Sequence, residues 1–299
     1  METTLLMTFA ALLVLAAGWI AYQTLRTPQG NGLPVGSHLQ ACRVLLALTA
    51  QFQQHRGMSS ALLAGDRDFA VRLKSKADEI AHSLAALRPV ARAESLAAWP
   101  CLQGNDLALF EHRWASLTEK LPTLTVDQSI AQHSVLISQL LHWLAAFGEA
   151  RLEPLLGGEM ARGEVRNYAV RLPALTECLG QARAIGLSVA ARQGCSAVAR
   201  VRLMFLVARA ETLVKQAAES AAPGAAGQQA MLQVQQMARL IRTQMLVSAG
   251  LAVSAEAYFS TATAAIDGVF RWIDETGSHL LDETPAAGRP LATGLRHAS

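Results

Sequence analysis

One run carries most of the chemistry legible in this chain: Gln53-Gln54-His55-Arg56-Gly57-Met58-Ser59-Ser60-Ala61-Leu62-Leu63-Ala64-Gly65. Counting along it gives Leu45, Leu48, Phe52, Arg56, Ser59 and Leu63, steps of three or four that place an arginine where a helix faces its core. An arginine cannot shed its charge to escape burial, so it needs a partner. Two kinds of partner fit. A carboxylate from a neighbouring helix could meet the guanidinium, unless the side chain snorkels outward past its stem. Alternatively, a small diffusible anion fills the fork, with Gln53 one turn before and Ser59 less than one turn after adding neutral hydrogen bonds. The helix itself supplies no acid, since none occurs between Gln40 and Gly65. A buried carboxylate against Arg56, or the lack of a second arginine within reach across the bundle, would rule out an anion clamped between two arginines.

Other chemistries find little support. The eight histidines include no HExxH and no Cys/His cluster with zinc spacing, and no glycine loop is followed by Lys-Ser/Thr to cradle phosphate. His133 and His142 are too far apart to meet on one helix face, and His55 reads as a solvent-facing neighbour of Arg56. No catalytic residue, metal site or cofactor is expected. The net charge of +3 is small and the basic residues are scattered, which argues against nucleic-acid binding. Four cysteines without CxxC spacing do not require a disulfide framework.

The elements that must hold Arg56 are helical. With 52% hydrophobic, 16% charged and 5% aromatic residues among 299, the composition is that of an Ala- and Leu-rich helical protein, and no strand pattern of convincing length occurs. Leu5 to Ala21 run without charge or proline and, with their flanks, reach the length of a bilayer span, so residues 1–25 are expected to form a single-pass transmembrane anchor. Arg26 just past it favours a cytoplasmic over a periplasmic main domain by a small margin. The Pro- and Gly-rich stretch 26–37 reads as a linker.

Ser37 is then expected to cap a helix over His38–Ala64 with Gly65 closing it, followed by helices over Asp66–Leu87, stopped by Pro89, from Asn105 or Asp106 to Leu117, and from Thr125 or Asp127 to Leu152. A second set is expected over Glu159–Arg192 with a kink at Pro173, Ser196–Ser220, Gln228–Ser260 and Thr261–Glu275. This gives an all-α fold of two stacked antiparallel four-helix bundles, 38–152 and 159–275, with a disordered tail over 276–299.

Gln-x-x-Arg-Gly-Met-Ser-Ser, following a membrane segment and preceding a long helical array, resembles the signature of the nitrate- and nitrite-sensing (NIT) domain family. Gln53, Arg56, Gly57 and Ser59 match it, whereas His55 stands where glutamate is more usual. The resemblance covers about His38 to Glu275. It implies an all-helical sensor that binds nitrate or nitrite through arginines from separate helices, without a cofactor. Arg56 would be the first arginine. For the second, Arg183 lies in a segment resembling the family's mid-domain arginine segment and follows Leu175 and Leu179 at steps of four. Its alternative is pairing with an acid such as Glu177 or Glu211. Arg242 borders the stripe Val234, Met237, Ile241, Met245, Ser248 of a late helix and could equally be a solvated flank residue.

A planar monovalent oxyanion accepts in-plane hydrogen bonds, and two guanidiniums offer forked planar donors to it. Chloride would be rejected by shape, sulfate by its second charge. No output module is recognisable after Glu275, so a sensor of this kind would signal as a homodimer, through its membrane helix, or through a separate partner protein. The competing expectation is a membrane-tethered helical scaffold that keeps the fold and binds no anion. A more distant one is a sensor for another small anion.

Overall fold

A computed structural model describes residues 35–282, except 157, 248, 249 and 252. The first helix, α1 (Val35–Leu63), is followed by α2 (Phe69–Glu94), α3 (Gly104–Lys120) and α4 (Val126–Phe147). A π-helical turn (Gly148–Leu152) and a short α5 (Glu153–Leu156) extend α4. The second half begins with α6 (Glu159–Arg166), which runs through another π-turn (Asn167–Arg171) into α7 (Leu172–Ala191). Then come α8 (Ala197–Ser220), α9 (Ala225–Leu240) with a third π-turn (Ile241–Met245), and α10 (Ala255–Asp282). Among the described residues there is no strand.

Helices α1 to α4 form one antiparallel bundle and α6 to α10 the other. In each, the leading helix packs on the second and the fourth, α1 on α2 and α4, and α7 on α8 and α10. The bundles meet where α1 and α4 face α7 and the π-turn preceding it. Leu45, Leu48 and Phe52 of α1, Leu140, Leu144 and Phe147 of α4, and Leu172, Leu175, Val269 and Trp272 of the second bundle are buried in one continuous apolar cluster.

Local chemistry sets most boundaries. Thr125 caps α4 reciprocally with Gln128, its Oγ1 accepting from the Gln128 amide at 3.2 Å while its own amide donates to Gln128 Oε1 at 2.9 Å. Ser196 caps α8 by accepting from Ala199 N at 3.2 Å. Gly65, at φ 108°, turns the chain out of α1 as expected. Pro154 and Pro173 each stand two residues past a π-turn, so carbonyls they cannot serve sit in a widened turn instead of a broken helix. The kink expected at Pro173 is therefore a π-bulge in one long rod from Glu159 to Ala191.

Several expected boundaries move. Helix α1 starts at Val35, so Ser37 lies inside it and the linker loses its last residues. Pro89 does not stop α2, which continues to Glu94. The helix expected over Gln228–Ser260 is two: after Met245 the chain leaves the helix and pairs with the loop after α7, Cys195 N donating to Val247 O at 3.0 Å and Gly250 N to Gln193 O at 3.1 Å. Ser254 then starts α10 by accepting from Ala257 N at 3.1 Å. That helix runs to Asp282, taking residues 276–282 from the expected tail. The expected anchor, residues 1–25, and the tail beyond Asp282 lie outside the described residues. Among the described residues no helix is long and apolar enough to cross a membrane.

Candidate functional site

Helix α1 must face three neighbours, α2, α4 and α7, so its buried surface is wider than one stripe: Phe52, Gln53, His55, Arg56 and Ser59 are all buried. Arg56 is 1% exposed, which makes it the largest fully buried side chain among the described residues. Its guanidinium reaches across the seam between the bundles to α7. There it makes a two-pronged ion pair with Glu177, Nη1 to Oε1 at 2.6 Å and Nη2 to Oε2 at 3.1 Å. Nη1 also donates to Ser134 Oγ of α4 at 2.9 Å.

The carboxylate is held from both sides. Gln53 Nε2 donates to Glu177 Oε2 at 3.2 Å and to Thr176 Oγ1 at 3.3 Å, while Gln181 Nε2 donates to Oε1 at 2.8 Å. Two buried charges in this geometry recover much of their lost hydration through complementary planar bonds. The approach depends on Gly180: a Cβ there would stand 2.8 Å from Arg56 Nη2 and 3.8 Å from the Gln53 side-chain amide carbon. Only a residue without Cβ lets the guanidinium lie on the α7 backbone.

A second cluster adjoins the first. His55 Nδ1 lies 2.8 Å from His133 Nε2, and His133 Nδ1 lies 2.7 Å from the Ser129 carbonyl. A carbonyl only accepts, so His133 carries its proton on Nδ1, accepts at Nε2, and His55 donates from Nδ1. This pattern holds because burial keeps both rings neutral. Burial, followed by the neighbouring His133, lowers the His55 pKa to about 3. Burial also lowers His133 to about 4, opposed by the Ser129 carbonyl and assisted by the charge of Arg56. Trp114 meets the His55 ring edge-on at 4.7 Å. His55, read from sequence as solvent-facing, is 1% exposed, because α4 as well as α2 packs on α1.

The other sequence candidates divide. Ser59 is buried, but its hydroxyl meets His55 Nδ1 at 3.2 Å and makes no hydrogen bond to the Arg56 guanidinium. Arg183 lies on α7, six residues after Glu177, partly buried against α10. It donates to Thr263 Oγ1 at 3.2 Å and stacks over the Phe259 ring at 5.6 Å. Among the described residues no carboxylate hydrogen-bonds it, and Asp267 acts on it through its field. Burial first, and then the charge of Arg56, lower its pKa. Arg242 stands elsewhere, on the surface, in a two-pronged pair with Glu211 whose Nη2–Oε2 distance is 2.6 Å. Both members of that pair are well exposed, and neither bond leads to Arg56.

The acids weighed against Arg183 are thus taken by other arginines, Glu177 by Arg56 and Glu211 by Arg242. A clamp of two arginines facing each other across an open gap is not the arrangement found, because Glu177 fills the fork of Arg56. Gln53 joins the site by holding Glu177 instead of an external anion. Ser134 carries no signal in the sequence, His133 is weighed there only against His142, and Gly180 and Gln181 only flank Arg183, since nothing local marks which turns of α4 and α7 face α1.

These features define an all-helical, two-bundle protein with a buried, hydrogen-bonded cation site at the bundle seam. The chain belongs to the nitrate and nitrite sensing family, whose profile matches residues 47–282. The fold is similar to the solved structure of the NasR transcription antiterminator, with a TM-score of 0.65 at 19% identity over 84% of this chain and 69% of that one. No significant match is found among curated proteins.

Proposed function

We propose that this chain binds nitrate or nitrite at the bundle seam, with Arg56 as the central donor and Arg183 as the second cation, and signals the change to a separate partner. The anchor read in residues 1–25 would hold it at the membrane. The observation that carries the proposal is Arg183, a partly buried arginine without a bonded carboxylate, set in the field of Arg56. Of the two guanidiniums only that of Arg56 has a bonded carboxylate, which leaves a positive potential that a monovalent oxyanion would neutralise. Gln53 and Gln181 add neutral donors at the same place. Neither requires a cofactor.

A second reading has its own observation. The Arg56–Glu177 pair is satisfied without any ligand, as a helical scaffold that binds no anion would require. One substitution separates the two. Arg183→Gln removes like-charge repulsion against one hydrogen bond and the stack on Phe259, so the fold should melt within a few degrees of wild type. If Arg183 is the second cation, calorimetric titration of the full chain with nitrate or nitrite should show binding in wild type, weakened at least tenfold in Arg183→Gln, with chloride and sulfate inert. Equal responses in both proteins would remove Arg183 from the site, and no response in wild type would leave the scaffold.

A further inference from the structure

We propose that Glu177 is a built-in competitor of the diffusible anion: its carboxylate occupies the seat at Arg56, and nitrate or nitrite enters by displacing it. This rests on the nitrate/nitrite reading above. A carboxylate presents two oxygens in one plane about a central atom and carries a single charge. Nitrite, and any edge of nitrate, presents the same outline. Around Glu177 each oxygen receives two donors, Oε1 from Arg56 Nη1 at 2.6 Å and Gln181 Nε2 at 2.8 Å, Oε2 from Arg56 Nη2 at 3.1 Å and Gln53 Nε2 at 3.2 Å. This donor set suits a small planar oxyanion as well as it suits a side chain.

Little of the Arg56 fork remains for a second anion while Glu177 is bound. Nη1 is shared with Ser134, and the flank of Nη2 lies against the α7 backbone at Gly180. An anion seeking the fork must therefore remove the carboxylate. The internal competitor lowers apparent affinity by the fraction of molecules in which the seat is vacated. It also converts binding into movement. Arg56 and Ser134 belong to the first bundle, Glu177 and Gln181 to the second, so exchange breaks a charge bridge between bundles. A ligand that replaces one partner of such a bridge binds the two arrangements differently, as a switch requires. Arg183, also on α7, adds positive potential beside the exchange.

The test is titration of the full chain with nitrate and nitrite in three forms: wild type, Glu177→Gln and Glu177→Asp. Glutamine removes the competing charge. Aspartate keeps it but is one methylene too short for the two-pronged contact. Both should bind at least tenfold more tightly than wild type. Tighter binding by Glu177→Gln alone would overturn displacement, because Glu177 would then act only through its charge. Nitrate or nitrite binding to wild type with neither variant tighter would also overturn it, leaving the sensing reading intact.

In parallel, Glu177→Ala vacates a carboxylate-sized seat, so millimolar formate should raise its melting temperature and leave wild type unmoved. Absence of formate rescue in a folded Glu177→Ala would count against the seat; if that variant does not fold, the titrations decide. Formate rescue with no response to either oxyanion in any form would overturn the nitrate/nitrite reading while keeping Glu177 as the occupant of the seat.

Discussion

Removing one partner of the Arg56–Glu177 pair should cost far more than removing both. In Arg56→Met, a carboxylate that is 8% exposed keeps Gln53 and Gln181 but loses its only bonded cation. In Glu177→Met, a guanidinium that is 1% exposed keeps only Ser134. An uncompensated buried charge of this kind costs about 3–5 kcal/mol. The double variant buries two thioethers of similar length in place of two ions and should lie within about 2 kcal/mol of wild type, on either side. The coupling energy of the cycle is then several kcal/mol, measurable by urea unfolding in buffer free of small oxyanions, with the denaturant slope checked for constancy across the four proteins. Arg242 and Glu211 provide the control. Their side chains are 51% and 39% exposed, and the same cycle there should return about 1 kcal/mol or less. If both cycles give similar small couplings, or if the double variant costs the sum of the singles, Arg56 is not held in a desolvated pair and the account of the seam is wrong.

Two other perturbations test the neighbouring groups. Because His55 and His133 stay neutral in the fold, with pKa values of about 3 and 4 against 6.5 when unfolded, their contribution is whole above pH ~6.5 and is lost as pH falls below it. Urea unfolding should show stability dropping by up to about 1.4 kcal/mol per pH unit for each imidazole between pH 6.5 and 5, above the carboxylate range, and the slope should flatten in His55→Gln/His133→Gln; a flat wild-type profile would contradict it. Gly180→Ala should gain about 0.5–1 kcal/mol of helix propensity yet lose more, because its Cβ would stand 2.8 Å from Arg56 Nη2. In an Arg56→Met background the same change should become stabilising, and failure of that reversal in thermal melts would show that Gly180 does not serve the arginine.

The legible parts of the fold are those set by local chemistry. Thr125 and Gly65 announce helix ends through a hydroxyl cap or a left-handed turn and act there in the structure, whereas Ser37, read in the same way, lies inside α1. Pro89 misleads because a proline inside a helix can be carried when its neighbours pack well, as Leu87 and Ala91 do. The break after Met245 was invisible because its cause is tertiary, two backbone hydrogen bonds to the loop at 193–195. The site divides the same way. Arg56 declares itself by lying on an apolar stripe. Its partner cannot be found from spacing, since Glu177 lies 121 residues away and its match to Arg56 is made by the meeting of two bundles.

That dependence on the meeting bundles bears on how a small anion could be sensed at all. The apolar core runs through both bundles, and a monovalent ion has too little contact area to reorganise it. The seam is different. There α1 and α4 meet α7, and a buried charge pair is among the groups that join them. An exchange of one planar anion for another at Arg56 changes little in the energy of the first bundle, yet it frees Glu177 and with it the grip on a rod that runs from Glu159 to Ala191 through the second. A few kcal/mol placed at a seam can shift a packing equilibrium that the same energy placed inside a core could not.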